Sequence, residues 1–217
     1  MVGIDTYHVQ YQINNLVEHG ETVYDNVFKT IDTFVGSLKE NWYSPKAAGF
    51  NAKISKIVDA ANDLYCEYYN IAYSVTEAYN RLAIANGLIP IESKKMRSRS
   101  GDSFSYALAS RSALSEIVGM NTNAVKEALV VFGKNVDKII QLIDETPDNI
   151  AIFDEKGRAL AVFKTEITKM KERLVASFYD VEAELSAVLN EEIQNVEAAK
   201  KEAIQELQDI GPGQISK

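Results

Sequence analysis

Apolar residues recur at three- and four-residue steps along most of this chain, and the points where the rhythm stops divide it into four helical segments. The first spans about residues 7–40. Tyr24, Val27, Phe28, Ile31, Phe34, Val35 and Leu38 keep one phase, while Ile13, Leu16 and Val17 keep it less strictly, and Gly20 is expected to bend or fray the helix. The rhythm then breaks at Trp42-Tyr43-Ser44-Pro45, which holds the only Trp of the chain. Ser44 is suited to cap the next helix, and Pro45 to stand in its first turn, where the missing N–H is not needed.

The second segment is the most regular. Phe50, Ile57, Leu64, Ile71, Ala78 and Ala85 form one heptad series, and Ile54, Ala61, Tyr68, Val75 and Leu82 form its partner. Such a double series predicts a long helix in coiled-coil-like contact with an antiparallel neighbour. Lys53, Lys56, Asp63, Glu67, Asn70, Ser74, Glu77 and Arg81 share a polar strip. A further strip with Tyr65, Tyr69 and Tyr73 is largely apolar, so the helix is expected to bury a second face, against another hairpin or another chain. Gly87 and Pro90 end the segment.

A third helix is predicted from Ser103 to Asp144, with Leu114, Ile117, Val118, Val125, Leu129, Phe132, Val136, Ile139, Ile140 and Ile143 on its apolar side. Glu145 to Gly157 forms a second break, around Pro147. The fourth helix carries Phe163, Ile167, Met170, Leu174, Phe178, Val181, Leu185, Leu189, Ile193 and Val196. Beyond about Asn190 it turns rich in Glu, Lys, Gln and Ala, and is expected to project past the bundle. The expected organisation is a hairpin at 1–89, a linker at 90–102, a second hairpin at 103–210 and a disordered tail at 211–217.

Composition narrows the function more than the fold. The 217 residues carry 23 basic and 31 acidic side chains, net −8, and residues 105–217 hold 13 and 19 of these. An acidic chain argues against a phosphate-binding surface. Lys94, Lys95, Arg97 and Arg99 alternate with serines and read as a solvated linker rather than a nucleic-acid patch. Cys66 stands alone, which excludes an intrachain disulfide framework. No apolar run approaches the ~20 residues of a membrane span, and the N-terminus lacks a basic region followed by an apolar core, so any export is expected to proceed without a cleaved signal peptide. His8 and His19 form no metal motif, Cys66 has no spaced His partner, glycines are dispersed, and Glu191, Glu192 and Glu197 read as a solvated face. The expectation is therefore a non-enzymatic protein without cofactor or metal.

The two halves echo each other. Asn26-Val27-Phe28-Lys29-Thr30-Ile31 matches Asn135-Val136-Asp137-Lys138-Ile139-Ile140, and Phe50-x-x-x-Ile54-Ser55-Lys56-Ile57 matches Phe163-x-x-x-Ile167-Thr168-Lys169-Met170. Each hairpin thus has matching elements before and after its turn. At the first turn, Trp42-Tyr43-Ser44 with Pro45, Ala47 and Phe50 resembles the Trp-x-Gly turn of the WXG100 (ESAT-6-like) family, with Ser in place of Gly. The second turn has no Trp and offers Ile152 and Phe153.

That resemblance implies a helical hairpin used in type VII (ESX-like) secretion, as secreted substrate, partner or adaptor. Trp42, Ser44 and Phe50 would then form the recognised turn, and Tyr73-x-x-x-Glu77 would fit the family's secretion signal pattern. The partner would be a WXG100-like protein, the secretion machinery or a second copy, and the location secreted, or cytoplasmic before export. The competing reading is a structural or scaffolding coiled-coil protein, such as a phage or cell-envelope component. Under either reading the fold class is all-α: an elongated antiparallel four-helix bundle of two long hairpins.

Overall fold

A computed structural model of the chain describes residues 6–43, 46–92, 119–147 and 158–209. These form four α-helices and one pair of two-residue strands: α1 (Thr6–Asn41), β1 (Trp42–Tyr43), α2 (Ala47–Ala85), β2 (Gly119–Met120), α3 (Thr122–Asp144) and α4 (Arg158–Asp209). The protein is an all-α bundle, with α1 and α4 each packed against both α2 and α3.

Cross-helix pairs set the directions. Tyr24 Oη donates to Asn62 Oδ1 and Tyr79 Oη to Thr6 Oγ1, so α1 and α2 run antiparallel. Asn121 N–H donates to the Asn41 carbonyl and His19 lies against the Leu142 carbonyl, so α3 runs antiparallel to α1. Lys46 pairs with Glu191 and Lys53 with Asp180 and Glu184, which sets α4 antiparallel to α2. The chain therefore leaves α2 at one end of the bundle and enters α3 at the other. The C-terminal end of α3 stands level with His19, about 33 Å of helix below the first turn.

Local chemistry explains most boundaries. The α2 helix closes in a Schellman arrangement: Gly87 adopts a positive φ of 70°, Leu88 N–H donates to Ala83 O and Gly87 N–H to Ile84 O. Asn80 then clamps the returning chain, its amide donating to Ile91 O and accepting from Ile91 N–H. At the other end α2 starts at Ala47, with Lys46 in the cap position and no side-chain cap. This places the start later than the expected Ser44 cap with Pro45 in the first turn; Ser44 and Pro45 themselves lie outside the described residues.

The third helix is shorter than its periodicity suggested. Gly119-Met120 is strand, and Asn121 caps α3 by accepting from Ala124 N–H, so the helix cannot run through from Ser103. Ser103 to Val118, with the predicted core residues Leu114, Ile117 and Val118, lie outside the described residues, as do Ile152, Phe153 and the tail from 210. The α3 end at Asp144 and the α4 start at Arg158 agree with the expected second break.

Heptad packing in α2 also needs correction. Phe50, Ile54, Ile57, Ala61, Leu64, Tyr68 and Val75 are buried, but Leu82 is 44% exposed, and Ala78 and Ala85 are exposed. The buried phase moves instead to Tyr65, Ala72 and Tyr79. Phe50 and Tyr79 are 29 positions apart, which is about eight turns at 3.6 residues each; a straight helix drifts out of a strict heptad in this way.

Gly20 is not a weak point. It is buried inside a continuous α1, and a Cβ there would stand 2.7 Å from Tyr68 Cβ and 2.8 Å from Tyr68 Cγ. The missing side chain lets Tyr68 lie against the α1 backbone. Gly20→Ala is therefore expected to destabilise the fold by about 1–3 kcal/mol through overpacking. At Gly36 nothing stands within 4 Å of the same atom, and Gly36→Ala is expected to stabilise by up to about 1 kcal/mol. Urea titrations of the two variants check the opposite signs.

Candidate functional site at the hairpin tip

The α1–α2 turn is built from inside. Trp42 is only 3% exposed, and its ring meets Phe50, itself buried, edge-on with centroids 5.8 Å apart. Backbone pairing fixes the strand that carries it: Trp42 opposes Met120 and Tyr43 opposes Gly119 in an antiparallel bridge. Asn121 N–H extends that bridge by donating to Asn41 O at 2.8 Å. The first turn is thus tied to the entry of α3, a contact between the two hairpins.

Of the residues expected at the recognised turn, Trp42 and Phe50 come together as a buried aromatic pair beside Ala47, and Ser44 lies outside the described residues. Trp42 Nε1 has no acceptor among the described residues, so its ring contributes packing rather than a hydrogen bond. Around the pair, Tyr43 is half-buried and Lys46 is exposed. Lys46 Nζ reaches Glu191 Oε1 at 2.6 Å, with both side chains about half exposed, an ion pair of the kind worth about 0–1 kcal/mol.

Tyr73 and Glu77 sit in the last third of α2, Tyr73 47% exposed and Glu77 half-buried, one helical turn apart on one side of the helix. Of the tyrosine strip expected to face another hairpin or another chain, Tyr65 faces α1. Tyr65 is buried in the α1–α2 seam with its ring 5.0 Å from that of Tyr24, Tyr69 is half-buried, and Tyr73 points to solvent. The reason is the four-residue spacing, each step of which turns about 40° further round α2 and takes the strip from the α1 seam at Tyr65 out to solvent at Tyr73.

Tyr68 joins the hairpins instead. Its ring stands edge-on to His19 at 5.9 Å, and its hydroxyl bonds Thr146 Oγ1 at 2.5 Å, just past the end of α3. His19 Nε2 donates to Leu142 O at 2.7 Å, since a carbonyl can only accept, and so satisfies one of the last carbonyls of α3. Deep burial pushes the Tyr68 hydroxyl up to about 12, the Thr146 hydrogen bond opposes the rise, and Asp144 adds to it. The proton is thus held more tightly in the folded state than at the ordinary value of 10. Stability from this site is complete below pH 10 and is lost as pH rises toward 12, by about 2–3 kcal/mol. A wild-type stability–pH curve that falls in this window, against a flatter Tyr68→Phe curve, is the expected result by chemical denaturation.

The rest of the inter-hairpin seam is aromatic and ionic. Phe132 stacks on Phe34 at 4.3 Å and meets Phe178 edge-on at 5.7 Å, joining α3 to α1 and α4. The polar strip of α2 borders α4: Lys53 reaches Asp180 at 2.8 Å and Glu184 at 2.7 Å, and Asp63 pairs with Arg173. A groove of about 250 Å³ lies between α1 and α3, floored by Phe34 and Phe132 and edged by Thr33, Ser37, Glu127 and Asn135. Among the described residues lining it, Glu127 is the one titratable side chain.

Cys66 is half-buried, and its thiol is pushed up first by burial and then by Asp63 and Glu67, which disfavours the reactive thiolate. Among the described residues no group of three or more His, Cys, Asp or Glu side chains is placed to hold a metal ion. No helix among them is long and apolar enough to cross a membrane. The tip's backbone bridge and the Gly20–Tyr68–Thr146 contact left no signal in the sequence beyond an unexplained glycine. No family model, no curated protein and no solved structure matches this chain.

Proposed function

We propose that the chain acts by helix-to-helix binding of another protein, as a WXG100-like substrate, partner or adaptor of type VII secretion that leaves the cell without a cleaved signal peptide. The observation that supports this reading is the α1–α2 hairpin with the only Trp of the chain at its tip. Trp42 and Phe50 shape the tip from within, and Tyr43 and Lys46 border it on the outside. Tyr73 and Glu77 present the secretion-signal pattern on one side of α2. The reading calls for no cofactor, metal or nucleic acid.

Export in the native host tests it. Trp42→Phe, with helicity confirmed by circular dichroism, is expected to reduce export, and Tyr73→Ala with Glu77→Ala to abolish it. Undiminished export after the type VII machinery is inactivated sinks the proposal. The α4 extension favours a second reading, a scaffolding coiled-coil protein of a phage or cell envelope, because residues 194–208 of α4 are all exposed beyond the packed bundle. Retention in large particles, with no export, supports that reading.

A further inference from the structure

Two features near the hairpin tip are left over by the fold. One is α4 beyond the bundle. Glu191 pairs with Lys46 beside the start of α2, so α4 passes the tip there and runs about 27 Å further to Asp209. Its packing face follows an 11-residue series, in which Phe163, Leu174 and Leu185 are buried and Val196 and Leu207 are 48% and 69% exposed. Eleven residues make three turns with about 20° to spare, so the stripe that faces the bundle's interior keeps that direction past the tip. Lys200 and Ala203 fall on the stripe between Val196 and Leu207, and Glu206 lies beside it.

The other is the groove between α1 and α3, with Phe34 and Phe132 at its floor and the small Ala124 and Ala128 along it. It begins close to the tip. Measured from Asn121, which bonds Asn41 at the tip, α3 carries Glu127 about 9 Å down the bundle and Val131 about 15 Å. Lys134 stands one turn past Val131 on the same edge, about 20 Å down. All three side chains are exposed.

We propose that this groove receives the α4 extension of a second copy, the two molecules meeting tip to tip about a two-fold axis. The incoming helix then enters from the tip and runs alongside α3. Charge fixes its register. Lys200 and Glu206 stand about 14 Å and about 23 Å beyond the tip on α4, and Glu127 and Lys134 about 9 Å and about 20 Å below it on α3. The two offsets agree within about 2 Å, so one register brings each lysine to a carboxylate and lays Ala203 and Leu207 toward the Phe34–Phe132 floor.

Area points to a second copy as well. A helix stretch about 24 Å long and about 10 Å wide covers about 240 Å², so one such contact buries about 480 Å² over both faces. A two-fold pair makes the contact twice and reaches about 960 Å², close to the ~1,000 Å² of a specific interface; a partner that offers a groove alone supplies half of that. Such a contact is isologous and closes at two copies. The inference goes beyond the export reading and does not depend on it.

Light scattering on the full chain tests the pairing. The wild-type mean mass is expected to rise with concentration from 24.1 kDa toward twice that value and to go no higher. Glu127→Lys or Lys200→Glu alone sets like charges together and is expected to hold the protein at 24.1 kDa, and the double swap to regain the dimer. Leu207→Glu removes the apolar anchor and is expected to leave a monomer. All three positions are exposed, and circular dichroism verifies the folds. A wild type that stays monomeric at every concentration overturns the proposal, as does a mean mass that climbs past two copies. Single swaps that dimerise like the wild type overturn it too, and so does a double swap that stays monomeric.

Discussion

Trp42→Ala is expected to cost about 3–5 kcal/mol of folding stability, the range for truncating a buried aromatic ring to Ala. The ring is 3% exposed and braces Phe50, and its own strand holds the bridge to Gly119-Met120. Removing it leaves a cavity where α1, α2 and the entry of α3 converge. Because Trp42 Nε1 has no acceptor among the described residues, the loss is one of packing. Trp42→Phe removes a buried donor together with part of the volume, and is expected to cost only about 1–2 kcal/mol. Urea unfolding followed by circular dichroism measures both. A Trp42→Ala cost below about 1 kcal/mol would show that the tip is not held by this ring. The comparison also decides which variant reports on export: Trp42→Ala mixes recognition with loss of fold, whereas Trp42→Phe separates them.

The residues legible in the sequence are those whose reason is local or periodic. Phe28, Ile31, Val35 and Leu38 in α1, and Phe163, Leu174, Phe178 and Leu185 in α4, were placed by spacing alone and are buried. Gly87 marked the end of α2 and takes the left-handed conformation that a Schellman turn requires. The exposed extension of α4 followed from its loss of apolar anchors. What stayed hidden depends on residues distant in sequence. Gly20 looked like a flaw because propensity counts only backbone freedom, while its role is to admit Tyr68, 48 positions away. Tyr65 and Tyr68 differ by three positions and both lie against α1, but only Tyr68 reaches past Gly20 to Thr146 of the second hairpin, which no spacing in the sequence announces. The Trp42–Met120 bridge is two residues long on each strand, too short for any alternation to announce it.

Phe132→Ala is expected to cost about 3–5 kcal/mol, and how the protein then unfolds bears on whether the hairpins are separate units. Phe132 is 1% exposed and belongs to α3, yet its ring stacks on Phe34 of α1 and meets Phe178 of α4. Each aromatic pair adds about 0.5–1.5 kcal/mol beyond the buried area, so the loss belongs toward the upper end of the range. Had the two hairpins independent cores, the cavity would lower only the melting of α3 and α4. With one ring shared across the seam, the whole bundle is expected to melt in a single transition, lowered by about 10 °C for a chain of this size. Trp42 is the only Trp and sits where the first hairpin meets the entry of α3, so its fluorescence follows the tip and its bridge, while circular dichroism follows all four helices. Coincident midpoints in Phe132→Ala, both lowered, are the expected outcome. A fluorescence midpoint that stays at the wild-type value while the helical signal falls early would mean that the first hairpin stands without the second, with Phe34 and Phe132 in contact but not in one cooperative core.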